Sequence, residues 1–231
     1  MDALVCFALK EEAAPFQKVA AGKPNMSVLI TGIGRKNAGK SVREFLAGGV
    51  SVPASRRPGA SPNRLAGTLA PPELVLTCGF AGGLNPELKV GDVVFEPSTF
   101  NPQFPSRLVA AGAKSAKFFC ANRIAVTAAE KKKLRADTGA DAVEMESAAI
   151  HAVCAERGIP CMTVRVISDA AEEDLPLDFN ALAKPDQSLD YGKLAWAIAT
   201  SPGKIGALMQ LQKKTGFAAQ RLAELLGKVI A

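Results

Sequence analysis

The regular exchange between two hydrophobic periods constrains this chain most. Short apolar or β-branched runs, "ALVCFAL", "MSVLITG", "ELVLTCG", "VGDVVFE" and "CMTVRVIS", alternate with stretches of helical spacing such as "KEEAAPFQKVA" and "RKNAGKSVREFLA". That alternation predicts a mainly parallel sheet with helices packed on its faces. Ligands of such sheets gather at the carboxyl ends of the strands, so function is expected there. The fold class expected is α/β, a single domain over residues 1–231 with a twisted mixed central β-sheet flanked by helices. At 231 residues, 48% of them hydrophobic, the chain is long enough to bury one sizeable core.

Between Gly48 and Pro72 the sequence "GGVSVPASRRPGASPNRLAGTLAPP" is dense in Gly, Pro and Ser, which neither propagate a helix nor fill a core. It is expected to be a flexible excursion at 48–72, not a domain boundary. From Leu189 the pattern turns helical in "LDYGKLAWAIAT", "GKIGALMQLQKK" and "GFAAQRLAELLGKVI", with stops expected at Pro202 and Gly216. The last segment carries apolar residues at helical spacing and is expected to pack on the sheet.

A formal charge of +6 is compatible with a polyanionic partner, but the basic residues are scattered and no aromatics interleave them. This fits a solvated surface that favours small anionic ligands better than it fits nucleic-acid binding. The five cysteines are odd in number, widely separated and mostly set in apolar runs, as buried thiols of a reducing compartment would be. The start "MDALVCFALKEE" shows no basic leader, and no run approaches the ~20 apolar residues that span a bilayer. A soluble cytoplasmic protein without stable membrane insertion is expected. The single histidine, His151, makes a multi-histidine metal site or a histidine-based triad hard to assemble, and is read as structural or exposed.

Residues Gly34 to Ser41, inside "TGIGRKNAGKS", fit the phosphate-loop pattern G-x-x-x-x-G-K-[ST]. Such a loop wraps phosphates in backbone N–H groups between a strand and a helix. The strand "VRVISD" could supply a magnesium carboxylate at Asp169. An ATP-dependent enzyme is therefore one alternative, and a non-catalytic nucleoside-binding protein is another.

Three further stretches carry chemistry. In "VEMES", Glu144 and Glu146 are spaced so that an extended segment points both to one face, or they are solvent-facing charges favoured at a helix N-terminus. The strand "CMTVRVISD" ends abruptly in Ser168 and Asp169. An acid there is placed either to be desolvated and donate a proton, or to cap the next segment. In "TCGFAGGLNPELKVGDVV", a small-residue turn at Gly79 to Gly83 would let backbone approach a ligand closely.

The pieces "FALKEEAAPF", "TGIGRK", "GFAGGLNPELKVGDVV", "AVEMESAAI" and "VRVISDAA" stand in an order and spacing that resembles the purine nucleoside phosphorylase and nucleosidase superfamily, closest to the 5'-methylthioadenosine/S-adenosylhomocysteine nucleosidases. The resemblance runs to about Phe179. It implies a nucleoside phosphorylase-like fold and cleavage of the N-ribosyl bond of a purine nucleoside, adenine foremost, by water or inorganic phosphate. No metal and no organic cofactor is implied; inorganic phosphate is the alternative co-substrate. Glu146 would then hydrogen-bond the ribose hydroxyls, with Met145 under the sugar and Glu144 beside it. Asp169, positioned with Ser168, would protonate or hydrogen-bond the leaving base at N7, and Glu12 would orient the attacking water. Phe80, Ala81 and Gly82 would line the ribose and base. Gly32, Gly34 and Arg35 would lie where phosphorylases hold phosphate. A homodimer or larger homo-oligomer is also implied.

The residue types suit that chemistry, because breaking a ribosyl C–N bond creates an oxocarbenium-like centre and a basic leaving group. One acid must serve the base and one carboxylate the sugar. The chain departs from the nucleosidases at Phe80, where they usually carry a small hydroxyl residue, and in a shorter Thr99 to Ala125 segment. The loop "EEDLPLDF" is similar to that of the hopanoid-associated branch, and together these features suit an apolar 5'-substituent. Glu12 favours water as the nucleophile through repulsion of phosphate, whereas Arg35 would favour phosphate.

Overall fold

Two long strands, β3 (Leu74–Gly83) and β8 (Cys161–Asp169), form the centre of the sheet and run parallel. The computed structural model describes residues 2–48, 71–97, 103–184 and 202–230, with positions 190, 192, 193, 196 and 200. On one side of β3 lie β1 (Ala3–Phe7) and, at the edge, β2 (Met26–Ile30), both parallel to it. Beyond β8 come β4 (Val93–Phe95), antiparallel, and β5 (Lys114–Ser115). A short branch of β6 (Phe118–Cys120) and β7 (Ala142–Glu144) joins the end of β3, where β7 runs antiparallel across Gly82 and Gly83. The sheet is thus mixed, with parallel pairing at its centre.

Both faces are covered, which explains why β1 is buried at every position and reads as a continuous apolar run. On one face, Val5, Phe7, Leu76, Val164 and Val166 pack against α1 (Lys10–Ala20), α3 (Gln103–Ala110) and the long α6 (Ile205–Val229). On the other, Leu4, Cys6 and Val75 meet Ala38 and Val42 of α2 (Gly34–Leu46), and Ile150 and Val153 of α5 (Ser147–Ala155). The remaining helix, α4 (Ala128–Thr138), is set by a capping box at Thr127 and Glu130 and stops at Gly139, whose φ is 64°.

Two expectations need correction. Gly216 does not stop a helix: α6 continues through it, because Ala218, Leu222 and Leu226 beyond it are buried against the sheet. That burial outweighs the ~1 kcal/mol a helical glycine costs. The segment Gly79 to Gly83 is not a turn but the end of β3 itself, with Gly79 at φ 139°. The proposed excursion, apart from Gly48, Pro71 and Pro72, lies outside the described residues, as does most of the helix expected from Leu189 to Thr200.

Among the described residues no helix is long and apolar enough to cross a membrane. The described cysteines are all free thiols, three of them buried.

Candidate active site

The chemistry begins with an arginine in a strand that is otherwise apolar. Arg165 sits between Val164 and Val166 in the middle of β8, 1% exposed, where an unpaired charge would be prohibitively costly. It is held by acceptors from several elements. Nη1 donates to the Cys78 carbonyl at 3.3 Å, and Nη2 to Thr77 Oγ1 at 3.0 Å and Glu144 Oε2 at 2.6 Å. Glu146 Oε2 stands 3.3 Å from the same nitrogen. Burial alone would weaken the guanidinium's hold on its proton, but Glu144, Glu146 and Glu12 raise it above the usual range.

The two "VEMES" carboxylates are therefore buried and meet at one cation; neither faces solvent. They are not equivalent. Glu144 spends both oxygens inside the protein: Oε2 accepts from the backbone N–H of Glu146 (2.9 Å) and Ser147 (2.8 Å), and Oε1 from Ser147 Oγ (2.5 Å). Burial pushes its carboxyl up, but Arg165 and these hydrogen bonds bring it below the usual range. Glu144 thus fixes the strand-to-helix corner. Glu146 accepts one backbone bond, from Gly34 N at 2.8 Å, and burial leaves its carboxyl raised despite Arg165. Met145, between them, is half-buried.

Glu12 reaches the same cluster from α1. Its Oε2 accepts from the N–H groups of Ala8 and Leu9, each at 3.0 Å, and so serves the open amino end of its own helix. Its Oε1 accepts from Phe80 N at 3.0 Å. Burial raises its carboxyl to about 7 despite these bonds, with Glu146 adding to the shift. Gly79 is what lets this happen: a Cβ there would meet both Glu12 carboxylate oxygens and Arg165 Nη1 at 2.8–2.9 Å. Phe80 contributes its amide to Glu12 while its ring packs toward the core on the α1 face. Ala81 is buried in a small apolar cluster with Ile167.

Asp169 closes β8. Ala81 pairs with Ile167 but Gly82 pairs with Asp169, so Ser168 is an extra residue in the ladder, a bulge that re-aims the strand end. Ser168 Oγ donates to Asp169 Oδ1 at 2.7 Å, and the carboxylate lies over Gly82, whose missing Cβ would come within 3.3 Å of Oδ2. Oδ2 is paired with the ammonium of Lys131. A cavity of about 250 Å³ opens beside Asp169, walled by Leu175, Pro176, Ala207, Leu211 and the Glu173–Lys214 pair. It reaches the acid but none of Glu12, Glu146 and Arg165 lines it.

The phosphate-loop pattern is not a phosphate loop in space. All of Gly34 to Ser41 lies in α2, Lys40 is 75% exposed and pairs with Glu44, and Ser41 Oγ donates to the Thr31 carbonyl. A phosphate loop needs an open turn before its helix, and here the pattern is helical from its first glycine. Gly32, Gly34 and Arg35, expected where phosphorylases hold phosphate, lie at and just before the start of α2. Gly32 and Gly34 have φ of 81° and 82°, but the Gly34 amide is given to the Glu146 carboxylate and the Arg35 guanidinium to the Cys120 carbonyl.

His151 shares a 2.9 Å hydrogen bond with Thr163 Oγ1 and burial lowers its basicity, in keeping with a structural role. No cluster of metal-ligating side chains occurs among the described residues. Sequence reasoning missed Arg165 and Lys131. A charge inside an apolar strand was the available sign for the first. For the second it was a lysine one helical turn before Leu134, a partly buried hydrophobic residue of α4.

Comparison with known proteins agrees with the fold. The family model for the phosphorylase superfamily matches residues 113–190. The 5'-methylthioadenosine/S-adenosylhomocysteine nucleosidase of Actinobacillus succinogenes is 30% identical over 162 residues, covering 54% of this chain and 70% of that one. The aminodeoxyfutalosine nucleosidase of Campylobacter jejuni is 29% identical over 139 residues, 47% of this chain, and there the match spans only 61% of the relative's length. Among solved structures, the 5'-methylthioadenosine/S-adenosylhomocysteine nucleosidase of Neisseria meningitidis, in complex with methylthio-immucillin-A, superposes over 100% of this chain and 99% of its own, with a TM-score of 0.66 at 17% identity. The chain belongs to the phosphorylase superfamily, alongside the 5'-methylthioadenosine/S-adenosylhomocysteine nucleosidases.

Proposed function

We infer that this protein hydrolyses the N-ribosyl bond of an adenine nucleoside, releasing free base and free sugar. The observation that carries this reading is the convergence of Glu12, Glu144 and Glu146 on Arg165, with Asp169 at the end of the same strand. Glu12, with its carboxyl near 7, is a general base matched to neutral pH and takes a proton from the attacking water. Glu146, oriented by Arg165 and the Gly34 amide, grips the ribose hydroxyls and supports the positive charge that develops on the sugar. Asp169, steadied by Ser168, donates to the departing purine. Glu144 keeps Arg165 and the corner before α5 in place and does not touch substrate.

Water is favoured over phosphate because three carboxylates surround one guanidinium, an environment that repels a dianion. The adenine preference and an apolar 5'-substituent rest on the similar proteins, one of which is named for 5'-methylthioadenosine and another solved in complex with methylthio-immucillin-A. The test is release of free base from adenosine, 5'-methylthioadenosine and inosine by the wild type and by Asp169→Asn. The reading expects turnover of the adenine nucleosides, fastest with the methylthio group, and a loss of 10²-fold or more in the variant. Tight binding without turnover would replace it with a nucleoside-binding role.

A further inference from the structure

Lys131 is the one group at the candidate site that the hydrolytic reading leaves without a task. It lies on α4, where it is the buried residue of the helix at 0% exposed. Its ammonium has three partners for three N–H bonds: the carbonyls of Ala170 and Glu173, each at 2.8 Å, and Asp169 Oδ2. Burying a lysine with all its donors met is costly and is justified only by what it holds. Here it ties the acid to the first turn of the loop that follows it. The neighbouring charges point elsewhere: the Glu173 carboxylate pairs with Lys214 at 2.7 Å and accepts from Ala170 N at 3.3 Å.

We propose that Lys131 is a positioning residue for leaving-group departure, holding Asp169 by Oδ2 while Ser168 holds Oδ1, and stabilising the carboxylate left when the proton has gone. The inference rests on the hydrolytic reading above. In the step, the C–N bond breaks with its electron pair passing into the purine ring, and the proton on Asp169, taken earlier from solvent, moves to the ring nitrogen. A neutral base leaves, and the new Asp169 carboxylate is matched by the ammonium already beside it. The ammonium balances the carboxylate that proton transfer to the base leaves behind.

The role is specific to leaving groups that need a proton, and this separates it from general support of the fold. A 4-nitrophenyl riboside releases a stable anion and bypasses the acid, whereas an adenine nucleoside does not. Lys131→Gln keeps donors for the two carbonyls and removes the charge; Lys131→Arg keeps the charge; Lys131→Met replaces the first if it fails to fold. For Lys131→Gln the expected result is a fall of about 10²-fold in kcat for the adenine nucleoside, with the nitrophenyl riboside changed only a few-fold and KM little altered for either. Lys131→Arg should recover most of the adenine rate. A parallel loss on both substrates, or no loss on either, overturns the proposal while the hydrolytic reading stands. Failure of the wild type to cleave either substrate overturns both.

Discussion

Arg165 Nη2 lies 2.6 Å from Glu144 Oε2, and neither side chain is more than 1% exposed. One buried ion pair thereby joins the middle of β8 to the end of β7, the two strands that deliver Asp169 and Glu146. The pair is a joint in the framework, with Glu146 held beside it by the same guanidinium.

Breaking a buried pair by removing one partner strands the other charge, at about 3–5 kcal/mol. Arg165→Met should lower stability by that amount in urea unfolding and abolish base release. A variant with unchanged midpoint would mean that Glu144 and Glu146 are satisfied without the guanidinium.

Glu12 sets the pH dependence. Its carboxyl is raised to about 7 by burial, and only the carboxylate can take a proton from water. Activity is therefore low when Glu12 is protonated, so kcat/KM for the free enzyme should climb through about pH 7 as Glu12 ionises. A limb near pH 4.5, where an ordinary glutamate titrates, would show that Glu12 is not the base. Glu12→Gln should reduce kcat by 10²-fold or more across the range.

Gly79→Ala tests how tightly the cluster is assembled. The added Cβ would meet the Glu12 and Arg165 side chains at under 3 Å, at a φ of 139° that L side chains rarely adopt. A destabilisation of about 1–3 kcal/mol is expected. A larger effect on kcat, about 10²-fold, should accompany it, because misplacing a base by an ångström is costly. Wild-type turnover in this variant would contradict the placement of Glu12 beside Gly79.

Lys40→Ala should leave base release and stability unchanged within error, since the side chain is 75% exposed on the outer side of α2. Loss of activity, or a requirement for magnesium and ATP, would revive the phosphate-loop reading.

Much of this was legible in the sequence. The alternation of strand and helix periods gives the sheet and its covering layers, and "VEMES", "VISD" and Glu12 name residues that the fold brings to one end of β3 and β8. What could not be read were relations between separate segments. "GFAGG" looks like a turn because small residues are usually turn residues, yet here they stay in the strand so that Glu12 and the Asp169 carboxylate can lie against it. The phosphate-loop pattern fixes residue types but not the point where a helix begins, and α2 begins at its first glycine. Lys131 belongs to a run of three lysines whose likeness conceals that one turns inward.

The most direct test of the central claim is the fate of the sugar. An adenine nucleoside is incubated with the protein in phosphate buffer and in a phosphate-free buffer of equal ionic strength, and the sugar product is separated by charge. Free sugar, formed with the base in equal amounts and at the same rate in both buffers, is the predicted result. A sugar 1-phosphate, or turnover that needs phosphate, would contradict water as the nucleophile and with it the role assigned to Glu12.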